Sequence, residues 1–243
     1  MALLSVNLDQ IAALREFRKL REPDPAQAAV LAELAGADGI AIQLRRDRKF
    51  IRDRDLYILR EVVKTRLTIE MAPADDVIAR ALEVKPAMVT FVADHADSDA
   101  PVSGIDFGAA PVDFGDITSR FHGVGIAVCF FVEPDTDSVK GASKAGADAV
   151  LINCGGFTYA KTLQEAQEEI DLVDRAAQAA SKANLSVFAG RGINVKNVVA
   201  LEELKLFDEY FVGQSIVARA ALKGMDAAVK EMTEALRGVQ PQG

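Results

Sequence analysis

A chain of 243 residues, half of them hydrophobic and 26% charged, has the balance of a folded globular protein with material for one sizeable core. Its net charge of −8, three Tyr and absence of Trp argue against a dedicated nucleic-acid binder, which needs cationic surface and stacking platforms. No apolar run approaches the roughly 18 residues of a membrane span, and the opening MALLSVNLDQ lacks a secretory pattern. Two cysteines, Cys129 and Cys154, build no disulfide framework, so a reducing cytoplasm is expected.

In chain order, a β-branched apolar run at 3–6 comes first. A helical stretch at 24–34 follows, started by Asp24 before a first-turn proline. Further strand-like runs fall at 39–44, 67–71, 88–92, 125–132, 147–152, 185–189 and 210–212, making eight. Between them, apolar residues recur at helical spacing over 53–65, 74–82, 137–145, 163–183, 195–204 and 215–236. Gly36 and Gly146 stand where helices should stop. Near-continuous apolar strands suit a parallel sheet covered on both faces. AGADGIAI (35–42) and AGADAVLI (145–152) echo one another, as two related half-barrels would. Eight βα units in this length predict a single-domain TIM barrel spanning residues 1–243. The competing doubly wound sheet lacks its G-x-G-x-x-G signature after the first strand.

A barrel carries its chemistry where strands end, at the C-terminal face. The predicted exits are Asn7-Leu8-Asp9-Gln10, Gln43 with Arg45, Glu70, Asp94, Glu133, Asn153-Cys154, Gly190-Arg191-Gly192 and Gly213-Gln214-Ser215. The last two are the loops in which barrels often hold phosphate on backbone amides and a helix N-terminus. Glu70, a carboxylate amid an apolar strand, is either a general base with a raised pKa or half of an ion pair with an Arg such as Arg45. Basic residues concentrate in REFRKLR (15–21) and RRDRKFIRDR (45–54). There, Arg45 and Arg48 either grip phosphate or pair with Asp47, Asp53 and Asp55. Cys154 has no histidine near it to act as a base. His95 and His122 are isolated, leaving neither metal-ligand spacing nor a nucleophilic triad. No metal and no cofactor are therefore expected, unless Asp94 and Glu133 prove to be close together.

These exits resemble the pyridoxine 5'-phosphate synthase family over nearly the whole chain. VNLDQIAALREFR (6–18) is similar to the family's V-N-I-D-H-I-A-T-L-R-x-x-R opening. AGADGIAIQLRRDRKFIRDRD (35–55) is similar to A-G-A-D-G-I-T-x-H-L-R-E-D-R-R-H-I-x-D-R-D. Pro23 with Pro25, Ile69-Glu70-Met71-Ala72, Lys85-Pro86, Ala189-Gly190-Arg191-Gly192 and Val212-Gly213-Gln214 follow in order. The resemblance implies a TIM barrel, usually assembled as an octamer of dimers; a homo-oligomer, dimer or octamer, is expected here. It also implies condensation of 1-deoxyxylulose 5-phosphate with 3-amino-2-oxopropyl phosphate to close a pyridine ring, releasing inorganic phosphate and water. By the same resemblance, Asn7, Arg18, Gly192, Gly213 and Gln214 match the amino-ketone phosphate site. Asp9, Gln10, Arg45 and Phe50 match the deoxyxylulose phosphate site, and Gln43, Glu70 and Arg191 occupy the acid/base positions.

The departures from the family pattern run in one direction. Family histidines stand here as Gln10, Gln43, Phe50, Asn153, Arg191 and Gln214, and the family Glu after Leu-Arg is Arg46. Amides do not titrate and Arg stays protonated, whereas ring closure moves protons near pH 7. The expectation is an enzyme on a small phosphorylated carbonyl metabolite whose histidine-dependent ring closure is altered or lost. A synthase that retains the reaction, using water or Glu70, and a non-catalytic binding paralogue are the alternatives.

Overall fold

The computed structural model describes residues 2–93, 103–108 and 112–238. Eight parallel strands close into a barrel in sequence order: β1 (Leu3–Asn7), β2 (Gly39–Leu44), β3 (Arg66–Met71), β4 (Met88–Phe91), β5 (Ala127–Val132), β6 (Ala149–Asn153), β7 (Ser186–Gly190) and β8 (Glu209–Val212). Closure is made by β1 on β8, where Leu3 to Val6 pair with Glu209 to Val212. This is the expected TIM barrel, with every strand within two residues of its predicted limits. Apolar strands form it because both faces are buried: Ile40, Ile42 and Leu44 pack outward against helices, while Ala41 and Gln43 face the lumen.

The surrounding helices are α1 (Asp9–Arg18), α2 (Pro25–Leu34), α3 (Asp53–Val62), α4 (Asp75–Val84), α5 (Phe114–His122), α6 (Thr136–Lys144), α7 (Gly155–Thr158), α8 (Leu163–Lys182), α9 (Val198–Glu203), α10 (Gln214–Lys223) and α11 (Met225–Leu236). The stretch predicted as one helix over 215–236 is two, because Gly224 at φ +84° breaks it. Helices α1, α5 and α7 were not anticipated; α7 has four residues, two of them glycine, and leaves no periodic signal. Helix α2 starts as read, with the Asp24 carboxylate accepting from the Ala26 N–H at 2.9 Å ahead of Pro25. Asp24→Ala should cost about 1 kcal/mol, read as a lower denaturant midpoint at unchanged slope.

One buried ion pair fixes the segment between β2 and α3. Arg15 of α1 donates from Nη1 and Nη2 to both Asp55 oxygens, at 2.8 and 2.7 Å, and from Nη2 to the Phe50 carbonyl at 2.8 Å. Asp55 therefore pairs with Arg15, not with Arg45 or Arg48 as the sequence allowed. Arg45 instead pairs with Asp47, and Arg48 with Asp53 and Asp76.

Candidate active site

At the C-terminal mouth of the barrel lies a cavity of about 840 Å³. Its lining gathers Asn7, Asp9, Gln10, Gln43, Arg45, Phe50, Glu70, Arg191, Gly192, Gly213 and Gln214, drawn from the exits of β1, β2, β3, β7 and β8. Of the residues that the resemblance matches to substrate-binding and acid/base positions, Arg18 is not brought in; it ends α1 on the exposed surface, with its guanidinium 5.5 Å over the Phe17 ring. The predicted exits Glu133, Asn153 and Cys154 are not part of the lining either; Asn153 Nδ2 donates to both Glu133 oxygens, at 3.2 and 3.0 Å. Arg46 is also outside, beside Asp76. Asp94 and His95 lie outside the described residues. Among those described, no three His, Cys, Asp or Glu side chains converge as metal ligands.

The chemical centre is a pair of carboxylates tied together by Asn7. Its Nδ2 donates to Glu70 Oε1 at 3.3 Å, while its Oδ1 accepts from the Asp9 N–H at 2.9 Å. The Asp9 carboxylate accepts from the Gln43 N–H at 2.7 Å, and Gln43 is the ladder neighbour of Glu70. Enclosure by protein, then the charge of Asp9, push Glu70 up to about 7, against the lowering effects of Asn7 and Arg191. Asp9 is likewise pushed up to about 6 by burial, opposed by its bonds from Gln43 and Asn7 and by the charge of Arg45. Two like charges this close resist joint ionisation, so the pair releases its protons in two steps near neutrality. The Glu70–Arg45 ion pair considered from sequence is not what forms; the charges facing Glu70 are Asp9 and Arg191.

The cationic side is built on loops. Arg191 has φ +78°, a left-handed conformation that costs a non-glycine residue roughly 1–2 kcal/mol, and Gly192 follows at +69°. Asn197 donates to the Gly192 carbonyl at 3.0 Å and braces the loop. Helix α10 begins after Gly213 with no side-chain cap, so its first-turn amides remain available to an anion. Gln10 Oε1 is buried without a hydrogen-bond partner and lies against Gly213, at a place where a ligand group could complete it. Phe50 presents a ring, which rules it out as a phosphate ligand through its side chain.

Sequence reasoning missed the floor. Beneath the polar rim, Val92, Phe131, Leu151 and Phe211 line the cavity and are nearly fully buried. The signal was present: side chains alternate along a strand, so residues two before Glu133, Asn153 and Gly213 share their inward parity. Ser215 lines the mouth as expected, and Tyr159, Asn194, Lys196 and Arg219 line it unanticipated. Cys154 is fully buried and its thiol is pushed up to about 12 by burial, which accords with an inert side chain. Among the described residues, no helix is long and apolar enough to cross a membrane.

The closed eight-stranded barrel with a polar, loop-built mouth defines a TIM-barrel enzyme. Low-identity likeness to solved structures shows this fold; KGPDC from Streptococcus mutans aligns with a TM-score of 0.66 at 12% identity, covering 98% of this chain and 99% of that one. Residues 4–238 match the family described as Pyridoxal phosphate biosynthesis protein PdxJ, and the chain belongs to that family. The pyridoxine 5'-phosphate synthases of Geobacter metallireducens and Geotalea daltonii are 43% and 41% identical over 237 residues, which is 98% of this chain and 99% of each relative.

Proposed function

We propose that this chain carries out the condensation its family resemblance implies, joining 1-deoxyxylulose 5-phosphate to 3-amino-2-oxopropyl phosphate with release of inorganic phosphate and water. The observation that carries this reading is the Asp9–Asn7–Glu70 arrangement, whose two carboxylates hold and release protons near pH 7 without an imidazole. Glu70 acts as the acid/base group, Asp9 keeps it poised, and Arg191 is a fixed cation that polarises a carbonyl oxygen. The relatives' name favours retained synthesis over the altered chemistry that the missing histidines led us to expect first.

The phosphate ends of the substrates belong at the loops after β7 and β8 and beside Arg45. The ring-forming carbons lie over the apolar floor, where water is scarce. A second reading, an altered reaction on one phosphorylated carbonyl compound, draws support from the absence of histidine among the described residues that line the cavity and from Arg191 at an acid/base position. We further propose a homo-oligomer. Leu14, Phe17 and Leu20, on and just beyond α1, are each more than half exposed, an apolar strip suited to a second copy. Both thiols are free and buried, in keeping with a cytoplasmic setting.

The test is direct. Purified protein given both substrates should form pyridoxine 5'-phosphate with one inorganic phosphate released per turnover, and the gene should rescue a pyridoxine auxotroph at normal expression. Consumption of one substrate alone would favour the second reading. Thermal stabilisation by the substrates with no turnover would contradict both.

A further inference from the structure

The short helix α7 lies against the loop that carries Arg191, and the contacts between them are specific. The Cys154 N–H donates to the Gly190 carbonyl at 3.0 Å, which ties the start of α7 to the end of β7. The aliphatic stem of Arg191 passes over Gly155, whose missing Cβ would lie 3.3 Å from Arg191 Cγ. At the other end of α7 the Thr158 hydroxyl is 3.2 Å from the Arg191 carbonyl oxygen, to which it donates; the Gly155 carbonyl, at 3.4 Å, is the weaker alternative. Thr158 Oγ1 also fills the space where a Cβ on Gly192 would sit. Arg191 is thus enclosed on its carbonyl, its stem and its following residue by one four-residue turn.

We propose that α7 is the seat of Arg191 and that Thr158 is its positioning residue, its hydroxyl clamping the Arg191 carbonyl so that the strained loop directs the guanidinium at Glu70. Arg191 sits at φ +78°, and such a conformation persists only where the surroundings over-determine it. The Thr158 clamp and the Asn197 bond to Gly192 supply that determination from two sides. A loop released from Thr158 can relax, and the guanidinium then swings away from the carboxylate pair. Thr158 does not touch the reacting atoms; it acts through Arg191.

This rests on Glu70 being the acid/base group, so the test reads the Arg191–Glu70 interaction itself, without substrate. The groups facing Glu70 are Asp9 from α1, Asn7 from β1, Thr90 from β4, Cys129 from β5 and Arg191, with Gln43 alongside in the ladder and Arg45 acting on Asp9. Among the described residues, the charge opposite in sign that acts on Glu70 is Arg191, and its loss should raise the Glu70 titration. In the full-length protein, carboxyl carbon-13 NMR should place the Glu70 midpoint higher in Arg191→Gln by about one unit. Thr158→Val, which keeps the shape and removes the donor, should raise it by at least about a third of that, whereas Thr158→Ser should leave it at the parent value. Thr158→Ala, which only removes atoms, is the second variant and carries the same expectation as Thr158→Val. A parental midpoint in the Val and Ala variants while Arg191→Gln shifts it would overturn the positioning role. A parental midpoint in Arg191→Gln would overturn it equally, because Arg191 would then not face Glu70. Neither outcome depends on whether the chain makes pyridoxine 5'-phosphate.

Discussion

Glu70→Gln should lower turnover by about 10²–10⁴ while the affinity for inorganic phosphate stays within about tenfold. The amide keeps the shape and the contact to Asn7 but cannot exchange a proton, and the loops proposed to hold phosphate are elsewhere in the mouth. The same substitution should stabilise the fold at pH 8. Folding raises the Glu70 pKa from the ordinary carboxylate range to about 7, so the native state binds the proton more tightly than the unfolded chain does. The stability this group contributes is present below about pH 4.5 and is lost as pH rises through 7. At pH 8 the wild-type protein therefore carries a penalty of about 3 kcal/mol that Gln removes. Thermal melts of both proteins at pH 4.5 and pH 8 should show a gap that opens only at the higher pH. Loss of activity joined to gained stability separates a catalytic carboxylate from a structural one, since Glu70→Gln in a buried ion pair would lower both.

Arg15→Met should destabilise the protein by roughly 3–5 kcal/mol, the cost of leaving a buried carboxylate without its cation. Arg15 and Asp55 are 4% and 6% exposed, so water cannot replace the lost bonds. Once Arg15 is gone, Asp55 retains only the Arg52 N–H, at 2.9 Å. For a chain of this length the melting temperature should fall by roughly 10 °C. Pairing Arg15→Met with Asp55→Leu should recover a substantial part of the loss, because an apolar pair carries no uncompensated charge. Arg15 also holds the Phe50 carbonyl, so the segment that brings Arg45 and Phe50 to the cavity loosens with it. KM should then rise more than kcat falls. A melting temperature within about 2 °C of the parent would show that the pair is not the anchor of this segment.

The fold was legible because its determinants are local and repetitive. Strands buried on both faces read as short apolar runs, caps such as Asp24 and stops such as Gly36 mark the helices between them, and eight repeats admit few closures. The rim of the site followed from topology: once β3 is placed, Glu70 has to emerge at the mouth, and Gly192 and Gly213 have to follow the last two strands. What escaped depends on contacts between distant segments. Nothing in REFRKLR says that Arg15 turns inward to Asp55 while Arg18, three residues on, stays at the surface. The turn at Gly155–Thr158 carries no periodicity, yet it encloses Arg191. The proton chemistry was underestimated for a related reason. Read singly, Gln43 and Arg191 offer no titrating group, and the near-neutral behaviour of Asp9 and Glu70 arises only when folding encloses them in the mouth, with the charge of Asp9 adding to the effect of burial on Glu70.

Ring closure driven by a carboxylate pair in place of imidazole is most directly tested by the pH dependence of kcat/KM for pyridoxine 5'-phosphate formation. The profile should show an ionisation between about pH 6 and 7 that disappears from the residual rate of Glu70→Gln and moves downward in Asp9→Asn, where the like charge is gone. A rate that is flat from pH 5 to 8, or an ionisation that survives unchanged in both variants, would contradict it.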